Sequence, residues 1–264
     1  MASVSVLQQI LSIIAGGLVG FTLGLIGGGG SILAVPLLLY VVGYHDPHVV
    51  IGTTALAVAL TAFANLLPHW RAGNVRWKPA IAFAIPGAIG AVVGASIGKT
   101  IGGKQLLFLF ALLMIGVAIT MVRPRRKSVP QPERSGWPML RRVIPVSFVV
   151  GLLAGFFGIG GGFLIVPGLM FATGMPILSA VGSSLVSVGA FGTTTALTYA
   201  LAGKVNWLIA IEYFAGGIAG GWLGAWLATR LAERKQLLTR VFAGVVFVVA
   251  LYMLAMNLGA LHLG

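Results

Sequence analysis

The sequence contains no cysteine and only four acidic residues among its 264. The absence of cysteine excludes disulfide bonds, thiolate chemistry and cysteine-ligated zinc. Charged residues make up 8% of the chain and apolar residues 58%, and the mean hydropathy is +1.04. Because so few polar side chains cannot coat a soluble globule of this length, the composition indicates an integral membrane protein.

The formal net charge is +13, but the basic residues lie in short polar gaps between apolar tracts. That distribution is typical of orientation signals and lipid anchors, so the lipid bilayer is the expected partner. No basic stripe interleaved with aromatic residues occurs, and we therefore expect no nucleic-acid binding. The first residues, MASVSVLQQ, lack a basic stretch, so no cleaved signal peptide is expected.

Eight apolar tracts are each long enough to cross a bilayer, which takes about 20 residues. A Pro- and Arg-rich segment, typical of a loop, separates the fourth tract from the fifth. This organisation predicts an N-terminal repeat at 1–122, a linker at 123–142 and a C-terminal repeat at 143–264. The tracts cover residues 10–43, 49–68, 79–98, 105–122, 143–173, 177–201, 207–229 and 238–258.

The two halves align at an offset near 130 residues. The segment GLVGFTLGLIGGGGSILAVP, which starts at Gly17, matches GLLAGFFGIGGGFLIVP, which starts at Gly151. Repeated apolar segments broken by glycines are typical of transporter sites. Further matched positions are Gly52-Thr53-Thr54 with Gly182-Ser183-Ser184, Asn65 with Thr195, and Gly73, Val75 and Trp77 with Gly203, Val205 and Trp207.

The first tract of each half is too long for one membrane helix. About 34 helical residues would reach roughly 51 Å, against a hydrocarbon core near 30 Å. We therefore predict a helical hairpin at Gly27–Gly30 and a second at Gly158–Gly162. Each half then crosses the membrane an odd number of times, which predicts an all-α membrane protein of two inverted repeats, each with five helical segments. Hairpins that dip partway from opposite faces would bring their tips together near the midplane.

The distribution of Lys and Arg favours this topology. With eight simple spans, the side that holds the linker would carry 11 basic residues and the opposite side six. With the hairpins, the counts become 14 and three, which fits the positive-inside rule far better. This predicts a cytoplasmic linker and two external termini.

Three of the repeated motifs resemble the TauE/SafE family of sulfite and organosulfonate exporters. They are the doubled G-x-x-G-x-G-G before Val-Pro, the G-T-T or G-S-S that follows, and the G-x-V-x-W that opens a later span. The resemblance extends from about Leu11 to Leu258. It implies an exporter of the bacterial inner membrane for small sulfur-containing anions such as sulfite or sulfoacetate. The first copy has Ser31 where the second has Gly162, so a site lined by both halves would be asymmetric.

An anion inside these spans needs positive potential from the backbone, because no Lys or Arg lies deep in any apolar tract. Helix N-termini supply unpaired N–H groups, and glycines let an anion approach them closely. The candidate binding residues are Gly27, Gly28, Gly29, Gly30, Ser31, Gly158, Gly160, Gly161 and Gly162. The alternative is close helix packing, which we favour for the other glycine-rich positions, namely Gly90, Gly94, Gly98, Gly216, Gly217, Gly220, Gly221 and Gly224.

Hydroxyl and amide side chains at repeated positions form a second group of candidates. They can donate hydrogen bonds to an oxyanion without the cost of burying a charge. The alternative is that each hydroxyl bonds the backbone of its own helix. The candidates are Thr53, Thr54, Asn65, Ser183, Ser184, Thr194 and Thr195.

Few ionisable residues remain. Glu212 is the only acidic residue within a span and could couple transport to protons; alternatively, it is an interfacial carboxylate that is solvated or pairs with Lys204. The segment His45-Asp46-Pro47-His48 could bind a metal, although a turn in which Asp46 caps the next helix is the simpler interpretation. His69, beside Trp70 and Arg71, is predicted to be an interface anchor.

These features predict a secondary carrier that works by alternating access, without cofactor or metal, and that could form a homodimer. The alternatives are a passive anion channel of the same architecture and a carrier for a different small anion. An enzyme is not expected, because the sequence contains neither H-E-x-x-H nor a pair of neighbouring acids suited to catalysis.

Overall fold

The computed structural model describes residues 5–122, 136–158, 162–230 and 235–257, which are helical apart from short connections and contain no strand. After α1 (Val6–Ile26) the chain continues as a 3-10 helix (Gly27–Leu33), α2 (Ala34–Pro36) and a π-helical segment (Leu37–Val41). We call residues 27–41 the first return limb. The remaining helices are α3 (Pro47–Arg71), α4 (Trp77–Gly98), α5 (Gly103–Val122), α6 (Trp137–Phe157), α7 (Gly162–Thr173), α8 (Ile177–Ala200), α9 (Trp207–Arg230) and α10 (Lys235–Asn257).

Seven helical stretches in the described ranges are long and apolar enough to cross a membrane. The first of them, Val6–Val41, comprises α1 and the first return limb. Large apolar side chains such as Ile85, Leu223 and Val248 are exposed, as lipid-facing residues are. The 12 residues of α7 extend only about 18 Å, which is too short to cross the hydrocarbon core alone. The protein is thus a multi-pass helical membrane protein.

The chain reverses direction at the first glycine run. A Cβ placed on Gly30 would lie 2.3 Å from the backbone nitrogen of Leu23. The backbone of Tyr213 touches Gly16, while its hydroxyl lies 3.4 Å from the carbonyl oxygen of Ala34. In one continuous helix, Gly16 and Ala34 would be about 27 Å apart, so the first return limb folds back along α1.

The second glycine run also reverses the chain. Gly158 ends α6 in the left-handed region, with φ 68° and ψ 20°. Beyond it, Gly168 of α7 lies against Val146 of α6, and a Cβ on Gly168 would be 3.4 Å from Val146 Cγ1. A continuous helix would separate these two residues by about 33 Å, so α7 folds back onto α6.

The two halves interlock through parallel helix pairs. α1 runs parallel to α9, with Gly20 against Gly217 and Gly24 against Gly221. α6 runs parallel to α4 in the same way, with Gly151 against Gly87. The packing interpretation of the other glycines is confirmed, because a Cβ on each would lie 1.9 to 2.5 Å from a neighbouring atom; these are Gly90, Gly94, Gly98, Gly216, Gly217, Gly220, Gly221 and Gly224.

At the centre, α3 and α8 pack side by side and run antiparallel. Gly52 lies opposite Tyr199, and Gly189 lies opposite Phe63. The small residues let the two backbones approach closely, as they do throughout membrane helix interfaces. α5 and α10 form a further pair, outside this centre.

The molecule has two ends, which we call the linker end and the far end. The linker end holds the end of α5 and the start of α6, and the far end holds the starts of α1, α3, α5 and α9. At the far end Gly103 lies against Pro47. Asn257, the last residue of α10, donates a hydrogen bond of 3.0 Å to the Tyr40 hydroxyl near the end of the first return limb. The described chain therefore begins and ends at the far end.

Candidate functional site

The first glycine run lies inside the protein, because every residue from Gly27 to Leu33 is buried. Gly27 has φ 76° and ψ −152°, a conformation that residues with a side chain rarely adopt. This turn redirects the Gly28 N–H, which donates to the hydroxyl of Ser184 at 3.3 Å. Ser31 donates its hydroxyl hydrogen to the Gly28 carbonyl at 2.9 Å. The run thus meets α8, a helix of the other half.

The glycines of this run have different local reasons to lack a side chain. Gly27 needs its positive φ, and a Cβ on Gly30 would overlap the backbone of Thr22 and Leu23. A Cβ on Gly29 would meet only Ile26 of the preceding turn, at 3.2 Å. Of these three glycines, Gly29 is therefore the one that neither backbone conformation nor close packing explains.

Of the second glycine run, Gly158 lies at the end of α6 and Gly162 is the first residue of α7. The amide of Gly158 donates to the carbonyls of Ala154 and Gly155, so this helix end is closed by its own backbone. A Cβ on Gly158 would lie 2.0 Å from Ile51 Cγ2 of α3. Gly160 and Gly161 lie outside the described residues.

The structure does not bring the two runs together at one depth. The first run meets α8 at Ser184, and the second meets α3 at Ile51. Ile51 lies next to Gly52, which faces Tyr199 of α8, fifteen residues beyond Ser184 or about 22 Å along the helix. The expectation that the tips converge near the midplane was therefore wrong. The first return limb and α7, which follow the first and second runs, pack against each other.

Two of the candidate hydroxyls hold connections between the halves. Thr53 accepts a hydrogen bond of 2.9 Å from the Asn206 N–H, just before α9. Ser183 accepts one of 2.8 Å from the Arg76 N–H, just before α4. These two aligned hydroxyls have equivalent geometry, because each accepts from the backbone just before a helix of the opposite half.

Three other candidate hydroxyls bond their own helix. Thr54 donates to the Val50 carbonyl at 2.7 Å, Thr194 to that of Ala190 at 3.1 Å, and Ser184 to that of Val181 at 2.7 Å. Their donated hydrogen bonds therefore fit the alternative interpretation, in which each hydroxyl bonds the backbone of its own helix. Ser184 differs from the other two because its oxygen also accepts from the first glycine run.

Asn65 and Thr195 are fully buried, at aligned positions of α3 and α8. The Asn65 amide nitrogen lies 3.4 Å from the Gly20 carbonyl oxygen, whereas its side-chain oxygen has no hydrogen-bond partner among the described residues. The Thr195 hydroxyl also lacks one there, as does the hydroxyl of Ser187, a buried residue that the sequence interpretation missed. These groups are available for a polar ligand or for water.

His69 is not an interface anchor, and that prediction was wrong. Only 1% of its surface is exposed, and its Nε2 lies 2.9 Å from the Gly24 carbonyl oxygen, one turn before the glycine run. Because a carbonyl oxygen can only accept, Nε2 carries the hydrogen in this contact. One sequence signal could have suggested burial: His69 lies four residues after Asn65, on the same face of α3.

Glu212 lies near the start of α9, and one of its carboxylate oxygens is buried without a hydrogen-bond partner in the described parts of the chain. The alternative pairing with Lys204 was wrong. Lys204 instead binds Asp46 at 3.1 Å and ties the start of α3 to the connection before α9.

Asp46 caps α3, as the simpler interpretation of that segment predicted. Its carboxylate accepts hydrogen bonds from the backbone N–H groups of His48 and Val49, and Pro47 is the first helical residue. Partial burial of the carboxylate opposes ionisation, but the hydrogen bonds and the charge of Lys204 outweigh it and lower the pKa of Asp46.

Buried helix breaks at glycine runs, within a bundle of membrane-length helices, define a polytopic membrane protein with interrupted helices, an architecture common among transporters. The comparison with known families agrees with this class. The chain belongs to the TauE/SafE family, because the family profile described as sulfite exporter TauE/SafE matches residues 12–253.

Similar proteins carry transporter names. A probable membrane transporter protein of Xylella fastidiosa (strain Temecula1) is 52% identical over 247 residues, which cover 93% of this chain and 94% of that protein. The probable membrane transporter protein YunE of Bacillus subtilis is 29% identical over 76% of this chain and 81% of its own length. The archaeal protein MJ0441 of Methanocaldococcus jannaschii, named likewise, is 29% identical over 79% of each chain. No solved structure matches. Family and relatives together identify a membrane transporter.

Proposed function

We propose that the protein is a secondary transporter that exports a small sulfur-containing anion, such as sulfite, sulfoacetate or a related organosulfonate, across the bacterial inner membrane by alternating access. The observation that carries this proposal is the buried first glycine run, whose backbone is redirected away from its own helix and toward the other half of the protein. Backbone N–H groups at such a break can bind an anion without a buried cation.

The packing of the two halves supports an inverted repeat. α3 and α8 occupy equivalent positions in the two halves and run antiparallel. A two-fold axis that relates two antiparallel membrane helices lies perpendicular to them and therefore in the membrane plane, as in inverted-repeat transporters.

The charge distribution supports a cytoplasmic linker and external termini. The linker end carries basic residues at the ends of several described helices, whereas the far end carries three lysines. The positive-inside rule assigns the linker end to the cytoplasm. The basic residues at the linker end of the described helices and connections are Arg71, Arg76, Lys78, Arg141, Arg142, Arg230, Lys235 and Arg240, and those of the far end are Lys99, Lys104 and Lys204.

The separation of the two glycine runs suggests a relay with two positions. In this proposal the first run receives the anion at the cytoplasmic end and the second run releases it at the external end. The buried hydroxyls of Ser187 and Thr195, which have no partner among the described residues, offer hydrogen bonds along the route.

Glu212 is proposed to couple export to protons. It lies within a membrane-length helix, with one oxygen buried and no basic partner in a described ion pair. Replacing it with Gln should abolish transport driven by a pH gradient but leave exchange of anion for anion at equilibrium. Equal loss of both activities, or of neither, would exclude a role in coupling.

Purified protein in proteoliposomes tests the function. We expect saturable uptake of radiolabelled sulfite or sulfoacetate in preference to sulfate, and faster uptake when the vesicles are preloaded with unlabelled anion, because only a carrier accelerates exchange. Protein-free vesicles are the control. Uptake without acceleration would indicate the passive channel, and uptake of none of these anions would refute the proposed substrate class.

A further inference from the structure

At the end of α1 one backbone hydrogen bond of the helix is missing, and two side chains bond the groups that it would have joined. In a continuing α-helix, the Gly28 N–H would donate to the Gly24 carbonyl, four residues earlier. Here α1 ends at Ile26, and the positive φ of Gly27 turns the Gly28 N–H away. Both groups lie inside the protein, where a polar backbone group without a partner is costly.

Each of these two backbone groups bonds a side chain instead. The Gly24 carbonyl accepts from His69 Nε2 at 2.9 Å, and the Gly28 N–H donates to Ser184 Oγ at 3.3 Å. His69 is 1% exposed and Ser184 is fully buried, so both contacts are shielded from water. The two side chains therefore stabilise the broken helix at the point where it breaks.

The two side chains come from different halves of the protein. His69 belongs to α3 and Ser184 to α8, the antiparallel pair at the centre. If α3 and α8 shift relative to each other, the two contacts cannot both be kept unless the glycine run changes shape. At the second glycine run, the Gly158 amide donates to carbonyls of α6 itself.

We propose that His69 and Ser184 are positioning residues that hold the first glycine run in its broken, binding-competent shape and link that shape to the relative position of α3 and α8. The inference rests on the proposed function, because it assigns both residues to the same glycine run. Neither side chain needs to touch the anion or carry a proton in this role.

Substitutions at His69 separate positioning from proton transfer. His69→Phe keeps the approximate volume but removes the donor, and His69→Gln keeps an N–H donor that can reach the position of Nε2. We expect His69→Phe to raise the KM for the transported anion by about tenfold, the usual effect of one lost hydrogen bond on binding, with little change in the maximal rate. His69→Gln should restore the wild-type KM and the wild-type pH profile. Failure of Gln where His works would indicate a proton carrier and contradict the proposal.

Ser184→Ala removes the acceptor for the Gly28 N–H with a minimal change in volume. The matched control is Ser96→Ala, since Ser96 is exposed and its hydroxyl bonds the Val92 carbonyl at 2.8 Å. We expect Ser184→Ala to raise KM like His69→Phe, and Ser96→Ala to leave KM unchanged. Because the two side chains act on one broken bond, the double variant His69→Phe/Ser184→Ala should be no worse than either single variant. Additive effects would refute the linkage.

Hydrogen–deuterium exchange, measured by mass spectrometry on peptides covering residues 20–33, provides a readout that does not depend on transport. Both single variants should speed exchange in this segment, and His69→Gln and Ser96→Ala should not. If the wild type transports the anion and His69→Phe matches it in both KM and exchange, the positioning role is wrong while the function stands. If the wild type transports none of the anions tested, the proposed function fails, and the exchange data alone decide whether the two side chains hold the run.

Discussion

At the scale of single residues, the glycines of the first run contribute in different ways. Gly27 permits the turn, and Gly30 permits the close return of the chain. Gly29 does neither, because a Cβ there would meet only the side chain of Ile26. A substitution at Gly29 therefore tests function with less disturbance of the fold than one at its neighbours.

We predict that Gly29→Leu abolishes anion uptake while the protein still inserts and purifies as a stable species. Gly29→Ala should reduce uptake less, since its Cβ requires a shift of only a few tenths of an ångström at Ile26. Proteoliposome uptake measures the activity, and fluorescence-detected size-exclusion chromatography measures the folded fraction.

The matched control is Gly30→Ala, whose Cβ would overlap the Leu23 backbone and cost about 1–3 kcal/mol in strain. This variant should lower the melting temperature, whereas Gly29→Ala should not. Wild-type uptake by Gly29→Leu would place the binding site elsewhere.

The ion pair between Asp46 and Lys204 predicts a pH-dependent contribution to stability. The lowered pKa of Asp46 in the folded protein means that its carboxylate stabilises the fold above its unfolded pKa. This contribution is lost as the pH falls through the folded pKa. We predict that Asp46→Asn lowers the melting temperature at neutral pH, and that wild type and variant converge in acid. The effect should be small because both side chains are more than 40% exposed. A constant difference at all pH values would contradict this assignment.

The glycine runs, Asp46 and His69 show what the sequence could predict and what it could not. The sequence predicted both helix breaks, because about 34 apolar residues exceed one membrane crossing. It also predicted Asp46 as a cap, because capping depends on local sequence. The depth of the glycine runs depends on how α3 packs against α8, and no local pattern records that pairing. His69 was misinterpreted because Trp70 and Arg71 are typical of an interface, whereas its position is set by a carbonyl 45 residues away.

At the scale of helices, the parallel pairs α1–α9 and α4–α6 depend on glycines at one helix face. Gly20 lies directly against Gly217, and a Cβ on Gly20 would lie 2.1 Å from the Gly217 carbonyl oxygen. Gly17, on a neighbouring position of α1, leaves 3.6 Å to the Gly216 carbonyl oxygen. The two glycines of one helix therefore differ in the space they leave.

We predict that Gly20→Ala destabilises the protein, because the two backbones must separate to admit the methyl group. Gly17→Ala should be neutral or slightly stabilising, since alanine favours the helix by about 1 kcal/mol and meets no overlap here. Melting temperatures of the purified variants measure the difference. Equal stability of the two variants would contradict the close contact of α1 with α9.

At the scale of the whole molecule, the proposed inverted repeat predicts which connections face each side of the membrane. Because the protein contains no cysteine, single cysteines can be introduced without removing any. His45 and Ala72 are both exposed, His45 at the far end and Ala72 at the linker end.

We predict that a membrane-impermeant maleimide labels His45→Cys in intact cells, and labels Ala72→Cys only after the cells are permeabilised. This pattern places the linker end in the cytoplasm, as the basic residues suggest. The reverse pattern would invert the proposed orientation. Labelling of both residues from the same side would contradict the two-ended arrangement.

The pairing of α1 with α9 also constrains how the protein is made. α1 leaves the ribosome before α9, and the glycine face that it presents to α9 stays uncovered until roughly 200 further residues have been synthesised. During that interval the nascent chain must hold α1 in the lipid, or beside an insertion factor, without its final neighbour. A chain that stops after its first half would leave α1 and α4 without their partners, so we expect membrane quality-control proteases to degrade such a fragment.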